Sequence, residues 1–276
     1  MPEQKRYLEE ISDILNFAYE RYQEETKVEP VSSIPKVLRD FPLESNKWLR
    51  INDVTCVFID MKNSTQLSAQ KHDKSTAAIY QYFTDTAVRI LDHFGAIYID
   101  VRGDGAFGLF DSNQLYHALA AAVSFKTFSA NEIGKHIQIE GGKITCHIGI
   151  DRKTVLVKRI GLRRSPDGID KQNEVWAGKP VNMASKLASR GEENDLLISE
   201  RVFSLFSNDG SELVLKSCGC GNGGQKTNLW TKEDVSQEPK FDFNKLYKLS
   251  NSFGWCGVHG KDYCEAILAL DENNND

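Results

Sequence analysis

A chain of 276 residues has room for one catalytic domain of about 150–200 residues plus extensions, and its 40% apolar and 10% aromatic content excludes a disordered or low-complexity protein. A net charge of -5 argues against a nucleic acid polymer as partner, though a local basic patch would still hold a triphosphate. No run reaches the roughly 20 apolar residues of a membrane helix, and Met1 to Glu10 is charged where a secretory signal is apolar, so a cytoplasmic protein with no membrane partner is expected.

Residues 1–27 read as an amphipathic helix, with Tyr7, Ile11, Ile14, Leu15 and Tyr19 on one face at helical spacing. Residues 28–50, which include Pro30, Pro35 and Pro42, read as an irregular connector. The β-branched apolar run 54–60 predicts a buried strand ending at Asp60. Residues 64–92 look helical, with a break near Asp73–Ser75. Strands at 96–102 and 106–110 are joined across Gly103-Asp104-Gly105, a tight-turn sequence. An Ala-rich helix follows at 113–129, then two strands, 143–150 and 153–160, that meet at Asp151-Arg152. A polar loop, 161–174, leads through Gly178-Lys179-Pro180 to a helix over 181–189. A strand at 196–199, a short helix at 200–206 and two weaker strands near 212–217 and 225–231 close the domain. The tail past Pro239 has no clear pattern, and Asp271 to Asp276 is expected to fray. The order predicts an α+β fold with helices on a mainly antiparallel sheet. It divides into a helix and connector (1–50), a catalytic domain (51–232) and a C-terminal extension (233–276).

Six cysteines in such a chain read as free thiols rather than a disulfide framework. Cys218, Cys220, Cys256, His259 and Cys264 carry zinc-ligating side chains. Neither cysteine pair forms Cys-x-x-Cys, however, and buried thiols are the preferred reading.

Asp60 and Asp104 each stand where a predicted strand meets a turn. On neighbouring strands the two carboxylates would be hard oxygen ligands for two Mg²⁺ or Mn²⁺ ions, a pair suited to phosphoryl displacement. The plainer reading is two aspartates capping turns.

Five segments in order resemble the class III adenylyl and guanylyl cyclases, over about residues 50–232. Residues 57–65, Val-Phe-Ile-Asp-Met-Lys-Asn-Ser-Thr, resemble the first metal motif, and 102–110, Arg-Gly-Asp-Gly-Ala-Phe-Gly-Leu-Phe, the second. His147-Ile148-Gly149-Ile150 is similar to the family's Arg-Ile-Gly-Ile-His strand. Gly178 to Leu187 and the strand Leu196 to Ser199 match the two segments that follow. The resemblance implies a ferredoxin- or palm-type sheet and a two-metal site held by Asp60, Asp104 and the Met61 carbonyl. It implies a phosphate cradle made by the backbone N–H groups of the turn 61–65, and nucleotide-binding positions at Lys62, Asn63, Ser64, Thr65 and Gly103. Lys226 is either a triphosphate lysine or a solvated strand lysine. From a second subunit Asn182 would orient the ribose and Lys186 would offset transition-state charge, which implies a head-to-tail homodimer with two shared sites. Two departures stand out. Lys186 replaces the family's Arg and keeps the charge without the guanidinium fork, and Asn63-Ser64 replaces Gly-Phe.

Asp100 stands where adenylyl cyclases carry Lys and guanylyl cyclases Glu, and Arg102 stands where the family is aliphatic. The second base-contacting position aligns with Val175 or Trp176. Two apart on a strand, Asp100 and Arg102 share a face. An acceptor beside a donor fork suits uracil, whose N3–H lies between two carbonyls, or the amino and acceptor groups of cytosine. The plainer reading is an ion pair between them. This combination is similar to the bacterial pyrimidine (uridylate or cytidylate) cyclases of anti-phage signalling. That implies UTP first, CTP second and a purine third, with cyclic UMP read by a separate effector protein. The rival readings are an adenylyl or guanylyl cyclase, a catalytically degenerate cyclase-like dimerisation module, and another palm-type two-metal enzyme, to which the Gly178–Leu187 segment is foreign.

Overall fold

A computed structural model of the chain describes residues 3–43, 46–140, 142–162, 171–208, 212–250 and 254–273. In chain order they form α1 (Glu3–Gln23), β1 (Lys27–Val31), β2 (Lys47–Lys62), α2 (Ser64–Gln70), α3 (Asp73–His93), β3 (Tyr98–Arg102), β4 (Gly105–Phe110), α4 (Leu115–Phe128), α5 (Gly134–His136), β5 (Gln138–Ile139) and β6 (Gly142–Lys143). There follow β7 (Thr145–Leu162), β8 (Lys171–Gly178), α6 (Lys179–Arg190), β9 (Asp195–Ser199), α7 (Glu200–Asn208), α8 (Glu212–Leu215), β10 (Trp230–Asp234), β11 (Lys245–Leu249) and α9 (Gly260–Asn273). Where the sequence reading drew boundaries at 50 and 232, backbone contacts group the chain into two compact units. The smaller takes the described parts of 1–51 and 156–177, the larger those of 52–155 and 178–276.

In the larger unit the strands lie in the order β10-β11-β9-β7-β2-β4-β3. Neighbours are antiparallel at β10/β11, β11/β9, β2/β4 and β4/β3, and parallel at β9/β7. Alternation along each strand separates two faces. Val57, Ile59, Ala106, Phe110, Ile148, Ile150, Leu196 and Ile198 point into one core with Phe83 and Leu91 of α3, Tyr116, Leu119 and Phe125 of α4, Val202 and Phe206 of α7, and Ile267 of α9. The Ala-rich sequence of α4 is what lets it lie deep, with Ala118, Ala120, Ala121 and Ala122 wholly buried. The opposite face carries α6, whose Met183 and Leu187 pack with Leu197, Leu246 and Phe243. That helix sits directly on the sheet backbone: a Cβ on Gly149 would lie 2.0 Å from the Ala184 carbonyl oxygen.

In the smaller unit β1 runs parallel to the first part of β2, from Lys27↔Lys47 to Val31↔Ile51, and β8 pairs with β7. The connector expected at 28–50 therefore contains paired strands. Among the described residues β1 pairs with β2 alone, and an edge strand is where Pro30 is tolerated. Helix α1 forms as expected, yet Ile11, Ile14, Leu15 and Tyr19 of its apolar stripe remain exposed.

Several expectations are corrected. The strands placed at 143–150 and 153–160 are one continuous strand, β7. Asp151 does not turn the chain. It is wholly buried, with its carboxylate accepting two hydrogen bonds from Arg201 at 3.1 and 2.7 Å. Burial raises the Asp151 pKa and Arg201 pulls it back. The weak strand at 212–217 is the helix α8 followed by a loop, and the strand expected at 225–231 begins only at Trp230. Past 232, β11 inserts between β10 and β9, and α9 packs on α4. Asp271, expected to fray, is buried and accepts the backbone N–H groups of Tyr116 and His117 at the start of α4, at 3.1 and 2.8 Å. The expected fraying at 274–276 and the polar loop at 163–170 lie outside the described residues.

Candidate active site

The site is built where β2 ends and the β3–β4 hairpin turns. The ladder pairs Ile59 with Ala106 and Arg102 with Gly105, which leaves Gly103 and Asp104 as a two-residue turn. Gly103 takes φ +64 while Asp104 does not, the pattern of a type II′ turn with glycine first. Asp60 lies across from this turn. A Cβ on Gly105 would stand 2.7 Å from Asp60 Oδ1 and 2.9 Å from the Ile59 carbonyl oxygen, so the carboxylate occupies the space a side chain would fill. Asp60 and Asp104 thus flank Gly105, both half-buried.

Next along the chain Asn63 adopts a left-handed conformation, φ 68 and ψ 21, to enter α2. The resemblance places glycine here, and asparagine is among the few other residues that tolerate this region. Asn63 Nδ2 donates to the Lys143 carbonyl at 3.0 Å, which pins the turn. The first backbone N–H groups of α2, at Ser64 and Thr65, have no partner within the helix. Lys62 and Ser64 are half-buried and Thr65 is exposed.

Asp60, Phe58, Gly105, Phe107, Asp100, Arg102 and Tyr98 all fall on the sheet face opposite α3 and α4, by the pairings Phe58↔Phe107 and Asp100↔Phe107 and strand alternation. Phe107 stands between Phe58 and Tyr98 with ring centroids 6.2 and 6.0 Å away, an aromatic floor beside the carboxylates. Asp100 and Arg102 are paired with each other, at 2.6 Å between Asp100 Oδ2 and an Arg102 guanidinium nitrogen. The contact is an ion pair without hydrogen-bond alignment, since that buried oxygen accepts no well-directed hydrogen bond.

One neighbour escaped the sequence reading. His147 Nε2 lies 3.2 Å from Asp60 Oδ2, and the ring is buried with no partner at Nδ1. The only sequence signal was a histidine in place of the family's arginine on a strand that alternation puts on this face, between the core residues Cys146 and Ile148.

Asn182 and Lys186 lie on α6, on this same face of the sheet. Asn182 is exposed, and Lys186 Nζ donates to the Lys240 carbonyl at 2.8 Å. Among the described residues no hydrogen bond or ion pair joins either to Asp60, Asp104 or Asp100. Lys226 is not a strand lysine: it lies exposed in the loop before β10, at the other end of the sheet order from β3, and pairs with Glu212 at 3.6 Å. In the smaller unit Val175 is exposed and Trp176 is buried edge-on against Phe41, with centroids 5.8 Å apart.

The arrangement suits divalent cations. The Asp60 carboxylate occupies a cradle kept clear by Gly105, Asp104 stands next to that glycine in the turn, and hard oxygen donors select Mg²⁺ or Mn²⁺. Asp60, Asp104 and the Met61 carbonyl are the groups that would hold them.

The profile of the adenylate and guanylate cyclase catalytic domain matches residues 47–222. The chain is 38% identical over 229 residues to a uridylate cyclase of Propioniciclava tarda, covering 82% of this chain and 71% of the relative. It is 32% identical over 231 residues to a uridylate cyclase of Micromonospora echinofusca, covering 82% and 73%. Among solved structures it superposes on the adenylyl cyclase CyaB from P. aeruginosa with a TM-score of 0.53 at 17% identity, over 75% of this chain and 97% of that one.

Proposed function

The chain belongs to the adenylate and guanylate cyclase catalytic-domain family and is a nucleotide cyclase, a phosphorus–oxygen lyase, and from that premise we propose that it converts UTP to cyclic UMP and pyrophosphate. One observation supports the base assignment above all: Asp100 and Arg102 share a sheet face with Asp60 and the Phe58–Phe107 floor. On this reading the ribose 3′-oxygen loses its proton and attacks the α-phosphorus in line. The bond from that phosphorus to the β-phosphate oxygen breaks, and pyrophosphate leaves. Asp60 and Asp104 would hold Mg²⁺ or Mn²⁺, and the bound cation would supply the positive charge that phosphoryl displacement needs.

The protein's own groups do the positioning. The N–H groups of Ser64 and Thr65 bind phosphate oxygens, and Gly103 lets the hairpin backbone approach. His147 holds the Asp60 carboxylate in place from the neighbouring strand β7. Asp100 accepts from uracil N3–H while Arg102 donates to a flanking carbonyl. Breaking the Asp100–Arg102 pair to do so costs little, since partly exposed pairs are worth about 0–1 kcal/mol. Asn182 and Lys186 come from a second copy of the chain, Asn182 to the ribose and Lys186 to the transition-state charge. On the same reading the product is a second messenger in bacterial anti-phage defence, read by a separate effector.

The test is turnover of the purified chain with Mn²⁺ and each of the four NTPs separately, with products identified by mass. Cyclic UMP is expected, and Arg102→Ala is expected to lose discrimination against the other bases. Cyclic AMP or cyclic GMP from the wild type would leave the cyclase chemistry standing and overturn the base assignment. Cyclic CMP as the main product would move the assignment to cytosine.

A further inference from the structure

The fold brings together four ligand side chains that are none of the nucleotide-site residues. Cys218 and Cys220 lie in the loop before β10, and Cys256 and His259 at the entry to α9, yet one ligand atom from each lies within 4.8 Å of all the others. Cys220 Sγ is already 3.0 Å from His259 Nδ1. A tetrahedral zinc with Zn–S bonds of about 2.3 Å needs sulfurs about 3.8 Å apart, so closing on an ion asks each ligand to move by less than about 1 Å. We propose that Cys218, Cys220, Cys256 and His259 form a structural Zn²⁺ site that staples the loop before β10 to the start of α9.

The local backbone is shaped for this. Gly219, between the two loop cysteines, takes φ +84, and a Cβ there would meet the Gly224 carbonyl oxygen at 2.6 Å. The loop closes on itself through hydrogen bonds from Asn222 N–H and Gly224 N–H to the Gly219 carbonyl, at 2.9 and 3.0 Å. Three thiolates and an imidazole are soft donors, which select zinc over the hard Mg²⁺ or Mn²⁺ of the nucleotide site. Four protein ligands leave no open position, so the site is structural rather than catalytic. Cys264, although nearby in sequence, is outside the cluster.

The experiment uses the full-length wild-type chain, purified without chelator from zinc-supplemented medium and dialysed against Mg²⁺. Elemental analysis is expected to find about one zinc per chain, four protein ligands making one closed site. Exchange with Co²⁺ should give the visible bands of tetrahedral cobalt with sulfur-to-metal charge transfer. Cys264→Ser should keep the zinc, and Cys218→Ser with Cys256→Ser should lose it. Should that double variant fail to fold, the cobalt spectrum of the wild type still decides. Absence of zinc and of the cobalt bands after metal addition would overturn the site. So would a denatured thiol titration that finds four reactive cysteines where the chain has six, because two of them would then be joined as a disulfide.

Discussion

At the nucleotide site the tolerance is narrow at Gly105. Its missing side chain is the space Asp60 uses, and a single methyl group would sit 2.7 Å from the carboxylate. Gly105→Ala is therefore expected to lower kcat by about 100-fold, the scale of a 1 Å misplacement in a catalytic array. Circular dichroism of the variant should still show the native fold. A second residue-scale test falls on Asn63. Asn63→Ala puts an alanine in the left-handed region at about 1 kcal/mol and removes the bond to Lys143 at about another 1 kcal/mol. Asn63→Gly loses only the bond, so it should melt higher than Asn63→Ala, and equal melting temperatures would contradict the left-handed assignment. Asp60, Asp104 and Asn63 were legible in the sequence because strand-then-turn signals are local. His147 was not, because its meeting with Asp60 depends on the register of β7 against β2, which no short motif encodes. Lys226 was misplaced for the opposite reason: the Gly-rich run 219–224 breaks the pattern that would have made it a strand residue.

At the scale of elements, small residues and one carboxylate hold the layers in place. Helix α4 has no side-chain cap of its own at Gln114, and Asp271 on α9 does that work from 155 residues away, accepting from Tyr116 and His117 N–H and from His117 Nδ1 at 2.7 Å. Asp271→Ala leaves those buried donors unsatisfied and should cost about 1–3 kcal/mol, read as a lower midpoint in urea with an unchanged slope. No loss would mean that α9 contributes only cover. On the other face Gly149 lets α6 rest on β7, and Gly149→Ala must push the helix away from a carbonyl only 2.0 Å from the new carbon. Overpacking of that kind costs about 1–3 kcal/mol, and because α6 carries Asn182 and Lys186, activity should fall further than stability. The elements missed in the sequence share a cause. The strand β11 and helix α9 lie beyond the family's motifs, and β7 looked broken because Asp151-Arg152 reads as a turn unless Arg201, 50 residues on, is known to bury the carboxylate. The cysteine cluster was discounted on spacing, since two segments 36 residues apart meet only once α9 has folded back beside the loop.

At the scale of the whole molecule the question is whether one chain is a complete enzyme. Asp60, Asp104, Asp100 and Arg102 lie at the β2–β4–β3 end of the larger unit's sheet, whereas Asn182 and Lys186 ride on α6, against β9 and β7, and no hydrogen bond or ion pair among the described residues joins the two sets. If a head-to-tail pair completes the site, each dimer has two sites, and each takes its metal carboxylates from one chain and its Asn182 from the other. Asp104→Ala and Asn182→Ala homodimers should then both be inactive. Mixed in equal amounts and allowed to exchange, half of the dimers are heterodimers, and each of these has one site with both defects and one with neither. Activity should return to about one quarter of the wild-type value per chain, the product of those two halves. If instead Asp104 and Asn182 serve one site within a single chain, every site in the mixture carries one defect, and no mixing ratio restores turnover.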